Sequence, residues 1–332
     1  MKLSICVNNY YKFGLSFIIT AFCIYIAFTG ENYRELSSHI ENINTQFVIL
    51  CMGLMVFSCF IRALRWKYIL FSKGVYNFHP LFSSVMIGYF GNNVLPFRFG
   101  EILRSYSISY SSNSSFTTIF GSVILERIMD LSFVIIMFFL ILPWLPSESY
   151  YLKYSVAILT LIIISFSLLI GLGKYYKIFS LIREMNIMRN RLGLKILNFA
   201  KIFFNTIMSI KNSHHGIEIF ILSLILWAVY YLSTYILLLS FDLKLGFVSI
   251  WLLLIVGSLA IGIPALPGAA GTYDAGVKFT LISLINIASE KALAFALISH
   301  AVSYIPFTII GAIYFFLGAI SLKDIKKQDL VV

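Results

Sequence analysis

Apolar residues fall in long unbroken runs along this chain, with short polar clusters between them. The clear runs cover residues 13–29, 47–61, 154–173, 217–240 and 292–318. A helix needs about 20 mainly apolar residues to cross a bilayer, so each run reads as one spanning helix. Residues 116–142 are long enough but carry charges, and two further apolar stretches, 81–95 and 247–288, are broken by Pro and Gly. The runs are continuous rather than alternating, which argues against a transmembrane β-barrel. The pattern predicts an all-α, polytopic transmembrane helix bundle.

Lys and Arg collect on the cytoplasmic side of membrane proteins, and here they orient the spans. Residues 30–46 hold Glu31, Glu35 and Glu41 against Arg34 and read as outside. Residues 62–80 hold Arg62, Arg65, Lys67 and Lys73 with no acid and read as an inside loop. The nearly neutral 143–153 and the turn 241–246 read as outside. The basic stretch 174–215, with eight Lys/Arg against Glu184, and the tail with Lys323, Lys326 and Lys327 read as cytoplasmic. An odd number of crossings must then join 62–80 to 143–153. Two segments lie between, so one does not cross, and the Pro-broken 81–95 is the candidate for a re-entrant hairpin. A second re-entrant hairpin in 247–288 satisfies the parity of the C-terminal half, as would three full crossings.

The two broken segments share a pattern. Leu95-Pro96-Phe97-Arg98-Phe99-Gly100 and Leu266-Pro267-Gly268-Ala269-Ala270-Gly271 both read LPxxxG, 171 residues apart. On this topology one enters from each side, which predicts an inverted-topology repeat within a single membrane domain, about 47–142 and 217–318. Paired interruptions of this kind point to a transport site near the midplane.

Composition agrees with a membrane class. The chain is 60% hydrophobic and 12% charged, against about 25% charged in soluble domains, and its mean hydropathy is +0.91. The net charge of +11 lies mostly in one loop, so it reads as topology and not as a nucleic-acid surface. Cys6, Cys23, Cys51 and Cys59 form no CxxC pair and read as small buried hydrophobes. The first apolar run shows no clear cleavage site and is expected to be a retained helix.

Candidate chemistry concentrates in three stretches. In Asn92–Arg104, "NNVLPFRFGEILR", Pro96 should break the helix and start a new one just after it. The new N-terminus exposes N–H groups that favour an anion, and Arg98, Glu101 and Arg104 are spaced to share one face of that helix. Asn92, Asn93, Pro96, Arg98 and Arg104, with Arg127, are candidate head-group ligands. In "ERIMD", Glu126 and Asp130 face one way on a spanning helix. Charges inside a span are costly and usually face a bundle interior or cavity. Arg98, Arg104 and Arg127 balance Glu101, Glu126 and Asp130 in number, so all six are expected to converge on one polar cavity open to the cytoplasm. A neutral structural cluster is the competing reading. In "IPALPGAAGTYDAG", Pro264, Pro267, Gly268 and Gly271, like Gly100 in the first stretch, suit a hairpin tip, and Asp274 is placed to pair with Lys278 four residues on. His300 and Pro306 fall in the last span, where a hydrogen-bonded packing histidine is the commoner case. Glu101, Glu126, Asp130, Asp274 and His300 are the cavity and proton candidates. "SYSISYSSNSS", Ser105 to Ser115, reads as a polar linker, and His214-His215 as a solvated face. No soluble-enzyme motif or metal-spaced cluster appears, so neither cofactor nor metal is expected.

At these three stretches the chain resembles the lysylphosphatidylglycerol synthase transmembrane-region family of flippase-like membrane proteins, over roughly 10–320. The resemblance implies two re-entrant hairpins around a central cavity in a bacterial or archaeal plasma membrane. Bifunctional members of that family carry a large soluble lysyltransferase domain. Here the sequence stops about a dozen residues after the last apolar run, so that domain is expected to be absent. The leading expectation is a protein that moves or binds an anionic lipid, a phospholipid or polyprenyl-phosphate carrier. An intramembrane lipid-linked glycosyl or aminoacyl transferase, using Glu126 or Asp130, is one alternative. A scaffold for a cell-envelope glycosyltransferase is another. The expected partners are the lipid and such an envelope-biosynthesis protein, with no nucleic acid.

Overall fold

The computed structural model describes residues 17–71, 74, 76–95, 98–112, 114–145, 154, 161, 215–263 and 267–318, leaving out residues 19, 72, 73, 75 and 113 among them. The predicted span 154–173, the basic stretch 174–214, Cys6, Pro96, Pro264 and the C-terminal tail therefore lie outside the described residues, apart from the single positions 154 and 161. Among the described residues the regular structure is helical and no strand occurs. The helices are α1 (residues 20–28), α2 (Tyr33–Glu41), α3 (Thr45–Leu70), α4 (Phe78–Val94), α5 (Gly100–Ser112), α6 (Phe116–Ile141), α7 (Gly216–Ser240), α8 (Phe247–Gly262), α9 (Thr272–Ser283) and α10 (Ser289–Leu317).

Helices α3, α7 and α10 are long and apolar enough to cross a membrane. Helix α6 has the length, 26 residues, but carries Glu126, Arg127 and Asp130. Helix α3 runs well past the predicted end at residue 61. No Pro or Gly interrupts the chain between Gly53 and Gly74, so Arg62, Arg65 and Lys67 stand on the helix and not in a loop. The supposed linker 105–115 is likewise mostly helix α5, with Ser105, Ser107 and Ser109 buried. Ser112 Oγ turns back onto Ile108 O at 2.6 Å, whereas the buried Ser109 donates forward to Ser114 O at 2.6 Å.

The chain separates into two compact units. The first holds residues 1–63, 82–104 and 224–332, and the second holds 64–81 and 105–223. The first unit's core gathers Ala27, Cys51, Leu238, Leu281 and the run Ala292–Ala296.

Both predicted breaks are real interruptions of helix. Helix α4 ends at Val94 and α5 begins at Gly100; α8 ends at Gly262 and α9 begins at Thr272. Each pair turns back on itself. On the first, a Cβ on Gly91 would lie 2.7 Å from Gly100 Cα, and one on Gly88 would lie 3.0 Å from Arg104 Cβ. On the second, Gly257 faces Tyr273, and Gly276 faces Ala260 and Val256. On the first pair residue numbers fall on one arm as they rise on the other, so its helices run antiparallel; on the second, α8 and α9 pack against each other. Gly100 allows the first approach: any Cβ there would strike the α4 backbone at Gly88 O and come within 2.6 Å of Asn92 N.

Candidate functional site

In the first unit both breaks close onto the middle of α10. Asn93, near the end of α4, donates its Nδ2 to Thr308 Oγ1 at 2.8 Å and to Tyr304 O at 3.3 Å. Tyr304 returns its hydroxyl to Asn93 O at 3.2 Å. The ring of Tyr304 also lies against Gly268 in the second break, where φ is +73° and a Cβ would meet the ring. One turn earlier on α10, His300 Nε2 reaches Gly268 O at 2.8 Å. His300 Nδ1 reaches Asp274 Oδ1 at 3.1 Å. Asp274 Oδ2 accepts the Gly271 N–H at 3.0 Å, which places the carboxylate in the first turn of α9, where the helix dipole favours a negative charge. Pro306 sits within α10 and removes the N–H that would bond the carbonyl four residues back.

Asp274 and Lys278 do not pair, contrary to the i, i+4 expectation. Asp274 is taken by its own helix start and by His300. Lys278 Nζ instead reaches Ala27 O at 2.6 Å and Glu31 Oε1 at 2.5 Å, and Ser289 Oγ donates to the same Glu31 oxygen. Glu31, read from sequence as an outside loop charge, is 3% exposed at its side chain.

At the first break, Arg98 precedes the helix at φ 55° and is exposed, so it does not share a helical face with Glu101 and Arg104. Arg104 is 2% exposed, its stem lying on Gly88. Asn92 Nδ2 makes a long 3.4 Å contact with Glu101 Oε1. Its Oδ1 is buried without a hydrogen-bond donor among the described residues.

The second unit holds the other charges. Arg65 on α3 and Glu126 on α6 are both wholly buried, 3.6 Å apart. Arg65 Nη2 donates to Asp130 Oδ1 at 2.7 Å and Nη1 to Ser223 Oγ at 3.1 Å. Beside them Trp66 Nε1 donates to Ser122 Oγ at 2.9 Å. Arg127 stands 3.9 Å from Asp130, with a third of its side chain exposed. Of the six predicted charges, Arg98, Glu101 and Arg104 belong to the first unit, and Glu126, Arg127 and Asp130 to the second. Among the described residues Arg65, which the sequence had assigned to a loop, faces both Glu126 and Asp130. His215 is no solvated residue either. It pairs with Glu218 at 3.0 Å and packs on the rings of Tyr68 and Phe71. Its neighbour His214 lies outside the described residues.

The model of the family described as "Lysylphosphatidylglycerol synthase TM region" matches residues 13–311. A UPF0104 membrane protein of Methanocaldococcus jannaschii is 28% identical over 286 residues, 82% of this chain and 84% of that protein. One from Methanothermobacter thermautotrophicus is 26% identical over 325 residues, covering 90% and 91%. A third, from Pyrococcus horikoshii, is 24% identical over 291 residues, covering 81% and 86%. No solved structure matches.

Proposed function

Starting from the premise that this chain belongs to the lysylphosphatidylglycerol synthase TM region family, as an integral membrane protein, we propose that it carries an anionic, phosphate-bearing lipid between membrane leaflets. The observation that carries this reading is the closure of both helix breaks onto residues 300–308 of α10. That helix has 29 residues, about 43 Å at 1.5 Å per residue, against a hydrocarbon core of about 30 Å. If α10 crosses the membrane, its middle lies near mid-depth, and so do the two breaks. Non-helical backbone is tolerated there only when buried in protein or lining a watery cavity. Discontinuous helices of this kind build the substrate sites of transporters.

In this reading the two helix pairs are re-entrant hairpins, entering from opposite sides as halves of an inverted repeat. Their arms support it: 17 and 13 residues in the first, 16 and 12 in the second, all short of a full crossing. The groups offered to a phosphate in the first unit are the start of α5 with Asn92, Asn93, Arg98 and Arg104; in the second unit Arg127 on α6 is a separate candidate. In the second unit Asp130 stands beside Arg127, and Glu126 and Asp130 both lie against Arg65. The protein resides in a bacterial or archaeal plasma membrane, with 174–215 and the C-terminus cytoplasmic, and an envelope glycosyltransferase is a fitting partner. A transferase reading gains no support from Glu126, which is wholly buried against Arg65.

The test is dithionite quenching of fluorescent phosphatidylglycerol and fluorescent polyprenyl phosphate in proteoliposomes. Quenching should proceed past the outer-leaflet fraction for one of these lipids. It should slow in Arg104→Ala and Arg127→Ala but not in Lys201→Ala. Quenching that stops at the outer-leaflet fraction for both lipids would reject the proposal.

A further inference from the structure

We propose that Asp274 and His300 form a proton-binding latch that ties the second helix break to α10. The inference comes from counting hydrogens. His300 Nε2 faces the Gly268 carbonyl and Nδ1 faces the Asp274 carboxylate. A carbonyl oxygen only accepts, so Nε2 carries a hydrogen. The carboxylate also accepts, so a second hydrogen lies between it and Nδ1. Both bonds exist together only when the pair holds one proton more than a neutral imidazole beside a carboxylate. In the proposed latch that proton is assigned to the ring, facing a carboxylate that accepts the Gly271 N–H in the first turn of α9.

Losing the proton to water leaves His300 with one N–H for two acceptors. The charge-assisted bond to Asp274 is the stronger, so the Gly268 carbonyl is the one released. The protonated latch is closed and the deprotonated latch is open. The charged and titratable neighbours are few. From α9 come Tyr273, whose hydroxyl is held by Ser299, and Lys278, which is paired with Glu31. On α10 there is Tyr304, and Glu290 and Lys291 near the helix start. Helix α2 also packs on α10 and keeps Arg34, Glu35 and Glu41 exposed with His39 partly so. The described part of α1 and all of α8 bring no acid, lysine, arginine or histidine. Tyr304, one turn on, touches Gly268 and bonds Asn93, so release at the second break is felt at the first. The use of the latch, coupling lipid movement to protons, rests on the translocase reading, whereas the latch itself does not.

The experiment therefore needs no lipid movement. Ala270→Cys, beside Gly268 in the break, is introduced into the full chain with its native cysteines replaced by Ala. Maleimide labelling is followed in nanodiscs between about pH 5 and 9, spanning the range of histidine titration. Each rate is divided by that of the same protein in dodecyl sulfate at the same pH, which cancels ionisation of the thiol. The normalised rate should rise with pH by about three- to tenfold, the worth of one neutral hydrogen bond. Two further variants lock the latch in opposite senses. In Asp274→Asn the amide donates to Nδ1 and the neutral ring keeps Nε2–H on Gly268, so labelling stays slow at every pH. In His300→Phe labelling is fast at every pH. A wild-type rate that is flat with pH overturns the proposal, and so does Asp274→Asn labelling as fast as His300→Phe. Either result leaves the leaflet-transfer assay to stand or fall by itself.

Discussion

Replacing Arg65 by Met should damage this protein far more than replacing Arg127, although Arg127 is the arginine adjacent in sequence to both acids' helix turn. Arg65 is fully buried, 2.7 Å from Asp130 and 3.6 Å from Glu126. Removing it takes the guanidinium away from the wholly buried Glu126 and leaves Asp130 with the more distant Arg127. Breaking a buried pair by deleting one partner costs about 3–5 kcal/mol, because the charge left behind is uncompensated. Arg127 is one-third exposed and 3.9 Å from Asp130 at i, i+3. Helix-surface pairs of that kind contribute about 0.3–0.5 kcal/mol. The order is therefore set by burial and not by the number of contacts. The measurement is the dodecyl sulfate mole fraction at which half the helical signal or folded gel-filtration peak is lost, for Arg65→Met and Arg127→Met side by side. Arg65→Met should unfold much earlier. Adding Glu126→Gln and Asp130→Asn to Arg65→Met should recover a large part of the loss, since the amides need no counter-charge. Equal midpoints for the two single variants, or a triple variant no better than Arg65→Met, would refute the reasoning.

Two other outcomes are expected. Gly100→Val should open the first helix pair, because its Cβ would meet the α4 backbone at Gly88 O and Asn92 N and neither can swing aside. Overpacking of this kind costs about 1–3 kcal/mol or more, read as a lowered unfolding midpoint with Gly53→Ala, which has open space, as control. Single cysteines in residues 30–46 should react with an impermeant thiol reagent from the side opposite to cysteines in 174–215. Labelling of both from one side would remove the inverted repeat.

The parts legible in the sequence were those with local causes. Apolar runs gave α7 and α10 nearly to their ends, and Pro with Gly marked both breaks. What was missed has causes far along the chain. Arg65 meets Asp130 across 65 positions, and Glu31 meets Lys278 across 247; no spacing rule reaches that far. Local spacing even misled at Asp274 and Lys278, which lie on one helix yet serve different partners. Hydropathy also ended α3 too early. A run that turns polar without meeting a breaker continues as helix, and the absence of Pro or Gly before Gly74 was the available signal for Arg65. Ser105 to Ser112 looked like a linker because serine is polar. Serine is also small enough to pack inside a bundle, and the buried Ser109 satisfies its hydroxyl on the carbonyl of Ser114.

The buried charges explain more about this chain than its apolar surface does. Between helices in a bilayer there is no hydrophobic driving force, because lipid tails are as apolar as leucine. The apolar faces of α3, α7 and α10 therefore cannot by themselves choose a register. Ionic links can, since each buried charge tolerates only the arrangement that brings its partner. Arg65 fixes α3 to α6, and Lys278 fixes α9 to the turn after α1. Both join a carboxylate to an arginine or a lysine. Asp274 and His300 form the third link, and it differs in kind. Its cation can lose its charge, it grips a carbonyl in a helix break, and the same stretch of α10 grips the other break through Tyr304 and Asn93. A fold that needed only rigidity there would be served by a lysine, as it is one turn away at Lys278. A histidine at this one position is what allows the grip to be released.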